Sequence, residues 1–112
     1  MQPPVHIISA QNPYEQYLGE IENTRRTEIL GQYLQLYPST NTLEPVVAQS
    51  SDPDATWEED SWAVSGLSRE QAVNIANLFQ QRAIFELNHD EIYIISESNS
   101  IAKIIPRRAF EQ

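Results

Sequence analysis

The sequence predicts an α+β two-layer sandwich, a sheet with two helices on one face. Three observations predict it. Short runs rich in β-branched residues alternate with two segments of helical periodicity, turn residues punctuate the junctions, and no repeat or long linker divides the 112 residues. A single domain spanning 1–112 follows, with frayed tails expected at 1–4 and about 106–112.

The first strand is Val5 to Ala10 (VHIISA), β-branched and ended by the turn residues Asn12 and Pro13. From Glu20 to Leu36, Ile21, Ile29, Leu30, Tyr33, Leu34 and Leu36 recur at near-helical spacing and predict a helix. Gly31 is its anomaly, costing roughly 1 kcal/mol against alanine in a helix interior, and it marks close packing or an early end. Pro38 enforces termination by Tyr37. Leu43 to Gln49 reads as a second strand, with Pro45 restricting it to an edge or to a strand opening.

Ser61 to Leu67 is the third strand, in which period two puts Trp62 and Val64 on one face and Ala63 and Ser65 on the other. Ser68-Arg69-Glu70-Gln71 has capping-box form, so a helix starts there. Ala72, Ile75, Ala76 and Phe79 are its expected buried stripe, widened by Val73 and Leu78, and its expected end is near Arg82. Ala83 to Leu87 and Glu91 to Ser96 form a hairpin around Asn88-His89-Asp90. A last apolar cluster, Ile101, Ile104 and Ile105, precedes Arg107-Arg108. The order is β-α-β-β-α-β-β, in which the first six elements match the split βαβ order of ferredoxin-like or related mixed or antiparallel folds and the fifth strand adds at an edge.

Seven Lys+Arg against sixteen Asp+Glu give a net charge of −9, which repels a phosphate backbone or an anionic membrane. Direct nucleic-acid binding and membrane attachment are therefore not expected. The charge suits a partner with a basic surface, although solubility is its commoner use. With no cysteine there is no disulfide, thiolate nucleophile or Cys-based zinc site. The start MQPPVHIISAQNP lacks the basic and apolar regions of a signal peptide, so a cytoplasmic protein is expected.

An ordered series of residues resembles a known family. Ser9-Ala10-Gln11-Asn12-Pro13 is followed by Glu22-Asn23 with Arg26 and Leu30, then Asp52-Pro53-Asp54 with Trp57-Glu58-Glu59 and Ser61. Gly66 to Ala72 and Gln81-Arg82-Ala83-Ile84-Phe85 complete it. The series is similar to the DUF3293 family of small bacterial proteins, over about Ile7 to Ile95. Ser9 replaces that family's threonine, Ala55 its loop glycine and Arg82 its usual asparagine. The family carries no assigned activity, so the resemblance implies a compact domain rather than a reaction. It also implies that Asn12, Glu22, Asn23, Arg26, Asp52, Asp54, Trp57 and Ser61 occupy motif positions, an unusually polar set for packing alone.

Ser50 to Trp62 concentrates five carboxylates and both tryptophans. As a calcium loop counted from Asp52 it fails, because Trp57 and Ala63 stand where the turn glycine and the bidentate glutamate belong. His6 and His89 have neither a third imidazole for zinc nor a visible nucleophile, and read as a strand residue and a turn residue. Three glycines supply no G-x-S-x-G elbow, phosphate loop or dinucleotide fingerprint. No catalytic residue, metal or cofactor is assigned.

Two functional readings remain open. The first is a non-enzymatic binding or regulatory protein that presents the acidic loop Asp52, Asp54, Trp57, Glu58, Glu59 and Asp60 to a basic protein partner, as an inhibitor or nucleic-acid mimic. Trp57 there either pins the loop to the core or anchors the partner. The second is a small-molecule or anion sensor, or a small enzyme, built on Asn12, Glu22, Asn23, Arg26 and Ser61. In it Glu22 and Arg26 pair across one helical turn, and Arg26 is the anion receptor. A convex acidic face favours the first and a concave pocket containing Arg26 the second.

Overall fold

The computed structural model describes residues 1–49 and 58–106. Asp52, Asp54 and Trp57 lie outside the described residues. Five strands and two helices appear in the expected order: β1 (Val5–Ser9), α1 (Glu20–Leu36), β2 (Thr42–Gln49), β3 (Glu58–Ser65), α2 (Arg69–Leu78), β4 (Ala83–Leu87) and β5 (Glu91–Ser96). A further strand, β6 (Ile101–Pro106), absent from the predicted order, pairs with β5 and carries the sheet through Pro106, where a tail was expected.

The sheet order is β2-β3-β1-β4-β5-β6 and every neighbouring pair is antiparallel. Thus β1 and β2 run the same way with β3 between them, while β3 and β4 run the same way with β1 between them. Pro45 sits on the edge strand β2, where its missing N–H breaks no ladder.

Register decides the faces. His6 pairs with both Val64 and Glu86, Ile8 with Trp62, and Ile84 with Ile95, so these side chains share one face. Both helices pack there: Leu30 and Leu34 of α1 and Ala72, Val73, Ile75 and Ala76 of α2 join Ile8, Val64, Ile84 and Ile95 in the core. The opposite face carries Ile7, Phe85, Leu87, Ile92 and Ile94, all half-buried.

Gly31 marks close packing rather than an early end. A Cβ there would collide with the indole of Trp62, whose Nε1–H donates to the Thr27 carbonyl at 2.9 Å. The helix therefore approaches β3 to within a tryptophan's thickness. The rest of α1 is less amphipathic than its spacing suggested, with Ile21, Ile29 and Leu36 exposed. The capping box of α2 is present in full, Ser68 accepting from the Gln71 amide and Gln71 from the Ser68 amide. That helix ends at Leu78, which is exposed, four residues before the expected Arg82, because the chain turns left-handed at Gln80.

Candidate functional site

At one end of the sheet the chain makes two turns that hold several non-glycine residues left-handed, of which only Asn12 is a residue that commonly adopts that conformation. After β1, Asn12, Tyr14 and Glu15 adopt φ of 47°, 50° and 66°, and after α2 Gln80 adopts 62°. Such left-handed non-glycine residues cost of order 1–3 kcal/mol each and gather where function constrains the backbone. Here they meet: the Tyr14 amide donates to the Gln80 carbonyl at 2.8 Å. Gln80 occupies the position usually given to glycine in a Schellman cap, with Gln81 N–H bonded to Ala76 O and Gln80 N–H to Asn77 O.

All four line a cleft of about 740 Å³ with Tyr17, Glu58, Glu59, Gln81, Arg82, Ala83 and Phe85. That volume suits a small organic molecule. Its apolar wall is Tyr14, Tyr17, Ala83 and Phe85, and it reaches the sheet face opposite the helices, which Phe85 shares with Ile7. The Arg82 guanidinium lies 5.9 Å from the centre of the Tyr14 ring. Glu59 is half-buried and accepts from the Ser9 hydroxyl at 3.3 Å; burial raises its carboxyl above the usual range, and that hydroxyl only partly offsets it.

A polar scaffold holds the first turn. The Asn12 amide donates to Asn23 Oδ1 at 2.9 Å and Asn23 Nδ2 donates back to Asn12 Oδ1 at 2.8 Å, with Asn23 buried in α1. Gln81 Nε2 donates to the Gln11 carbonyl, and Gln11 in turn accepts from the Asp60 amide. Arg26 closes the arrangement from behind, its Nε and Nη2 donating to the carbonyls of Ala10 and Phe79. These bonds tie β1, α1, β3 and the end of α2 into one support.

The predicted site residues thus divide. Asn12, Glu58 and Glu59 line the cleft, while Asn23 and Arg26 stand behind it as supports. Arg26, expected as an anion receptor, does not line the cleft; its Nε and Nη2 donate to the carbonyls of Ala10 and Phe79 behind it. The predicted Glu22–Arg26 pair is corrected: Glu22 is exposed and lies 3.7 Å from Arg25, because Arg26 turns inward. Ser61 is buried on β3 and donates to the Glu59 carbonyl. Glu58, Glu59 and Asp60 are not loop residues; they open β3 opposite Gln49, Ala48 and Val47. Tyr14, Tyr17 and Gln80 carry no signal in the sequence, and Phe85 stands there only as part of the family-like series, since only backbone conformation and sheet position bring them together.

A second polar cluster lies in the core. His6, fully buried, bonds through Nε2 to Glu86 Oε1 at 2.9 Å. Arg69 grips the same carboxylate with Nε at 3.0 Å and Nη2 at 2.6 Å, and Asn88 Nδ2 donates to it at 3.2 Å. Burial alone would raise the Glu86 carboxyl, but the Arg69 fork, His6 and Asn88 together bring it down to about 2. Burial lowers His6, with the Glu86 bond opposing. The imidazole is therefore neutral with its proton on Nε2, and its Nδ1 has no hydrogen-bond partner among the described residues. Sequence reading placed His6 as a strand residue, and its position in β1 agrees.

Among the described residues no group of three or more His, Asp or Glu is placed to hold a metal ion, and no helix is long and apolar enough to cross a membrane. No curated protein matches the chain. A solved phage SAM lyase in complex with S-methyl-5'-thioadenosine aligns with a TM-score of 0.33 and 11% identity, over 96% of this chain and 90% of that one. The model of a family described as a protein of unknown function, DUF3293, matches residues 8–84, more than half of the 112, and so takes in most of the cleft-lining residues. The chain belongs to the DUF3293 family.

Proposed function

We propose that this protein is a small-molecule-binding domain whose site is the cleft between the Asn12–Tyr17 turn, the start of β3 and the Gln80–Ala83 connection. One observation carries the reading: four of the five left-handed non-glycine residues among those described line a single cleft of about 740 Å³. Strain concentrated on one concavity, and braced by the reciprocal Asn12–Asn23 amide pair and an arginine, is the expected signature of a preorganised binding site. The apolar wall supplies affinity and the carboxylates, amides and Arg82 supply orientation.

A thermal-shift panel of nucleosides, amino acids, organic acids and amines tests it. A ligand at one hundred times its Kd adds about 2.7 kcal/mol of stability. Wild type is expected to respond to at least one class, with the response lost in Phe85→Ser and in Arg82→Gln. No response from any class, or one that both variants retain, counts against the cleft. The second reading, a basic protein surface drawn to Asp52–Asp60 by the net charge of −9, rests on the same Glu58 and Glu59. It gains ground if affinity capture recovers a partner that Glu58→Gln/Glu59→Gln releases while the panel stays silent.

A further inference from the structure

Charge in the cleft is unevenly matched. Glu15, Glu58 and Glu59 bring three carboxylates to the lining, and Arg82 brings one cation. Among the described residues neither Glu59 nor Arg82 has an ionic partner. Arg82 rests instead on the face of Tyr14, and Glu59, half-buried, has the Ser9 hydroxyl. A half-desolvated carboxylate without a cation is an unfavourable arrangement unless something supplies one. A guanidinium 5.9 Å from the centre of an aromatic ring, with no carboxylate on it, keeps N–H donors available for an incoming anion.

We propose, resting on the cleft reading above, that the ligand is a small zwitterion with an apolar body: its cationic nitrogen meets Glu59, its carboxylate meets Arg82, and its body lies against Tyr14 and Phe85. Each simpler charge type fits worse. A polyanion confronts three carboxylates with one arginine, and a simple amine leaves Arg82 without an anion. A neutral apolar molecule leaves both charges desolvated without a partner. A free α-amino acid with an apolar side chain has all three parts on one small frame. The raised carboxyl of Glu59 is consistent with this, since an ammonium group beside it would favour the ionised form.

Calorimetric titration with three compounds sharing one apolar body tests the inference: L-phenylalanine, phenethylamine, which lacks the carboxylate, and 3-phenylpropionate, which lacks the nitrogen. Wild type should bind the amino acid at least tenfold more tightly than either truncated compound. Arg82→Gln should remove the advantage over the amine, and Glu59→Gln the advantage over the acid, each leaving the other comparison intact. That cross-pattern separates direct recognition from a general loss of structure. Equal affinity for all three, or equal weakening of amine and amino acid by Arg82→Gln, overturns the zwitterion. If none of the three binds while other members of the metabolite panel do, the zwitterion falls and the cleft reading stands. If nothing binds in either experiment, both fall.

Discussion

Replacing Glu86 by glutamine tests the buried cluster most directly, because it removes the charge and keeps the shape. In the native protein Arg69, His6 and Asn88 hold the carboxyl at about 2, against an ordinary 4.5. Each pH unit is worth 1.36 kcal/mol, so the depression corresponds to about 3 kcal/mol of stability. That contribution is present above pH 4.5 and is lost as the pH falls through about 2. His6 adds a loss of the same sign at higher pH. Its folded value is depressed, so the unfolded chain takes up a proton first as the pH drops below 6.5. Glu59 acts oppositely, since a raised carboxyl favours the fold below 4.5 and loses that contribution as the pH rises.

Urea unfolding of wild type and Glu86→Gln, from pH 7 to pH 2.5, reads these terms. At pH 7 the variant should be less stable by about 3 kcal/mol, a large part of a total near 5–15 kcal/mol. Its stability should also be flatter between pH 4.5 and 2.5, while the loss below 6.5 from His6 changes its midpoint. An identical acid slope in the two proteins would refute the assignment of the low-pH term to Glu86.

Three further outcomes are expected. Gly31→Ala should lower stability by about 1 kcal/mol despite a better helix propensity, because collision with Trp62 exceeds the roughly 1 kcal/mol gained; a more stable variant in urea would contradict that packing. Arg26→Ala should lower stability by about 2 kcal/mol by stranding the Ala10 carbonyl and leaving the Phe79 carbonyl with the Gln81 side-chain amide alone, and Arg26→Lys should recover little, since an ammonium does not span the two. Gln80→Gly should raise the melting temperature by relieving about 1 kcal/mol of left-handed strain, and any ligand response should weaken as the Gln80 side chain leaves the cleft.

Elements with a strong local code were legible in the sequence. The capping box at Ser68, the hairpin turn at Asn88, the proline on an edge strand and the inward alternation of Trp62 and Val64 each depend on neighbours a few residues away. Membership of the family was legible for a similar reason, in ordered short motifs. β6 escaped because Ile101–Pro106 is bounded by no local strand signal beyond its isoleucines, and pairing with β5 is what makes it a strand. The early start of β3 escaped because acidic residues have low strand propensity, which pairing with Gln49, Ala48 and Val47 overrides.

The site was legible only in part. Asn12 and Asn23 stood out as polar motif residues, and their mutual bonds account for the pattern. His6 and Glu86 each break the apolar alternation of a strand, the one signal that could have linked them, but only the register of β1 and β4 sets them opposite each other. The bonds of Arg26 to the Ala10 and Phe79 carbonyls were not legible, because backbone carbonyls leave no mark in a sequence. By itself the sequence determined the elements, their order and the acidic balance, which are properties of short segments and of sums. Only the tertiary structure decided that the left-handed turn at Asn12, Tyr14 and Glu15 and the distant Gln80 would line one cleft, because a cavity is made by the register and turning of distant segments.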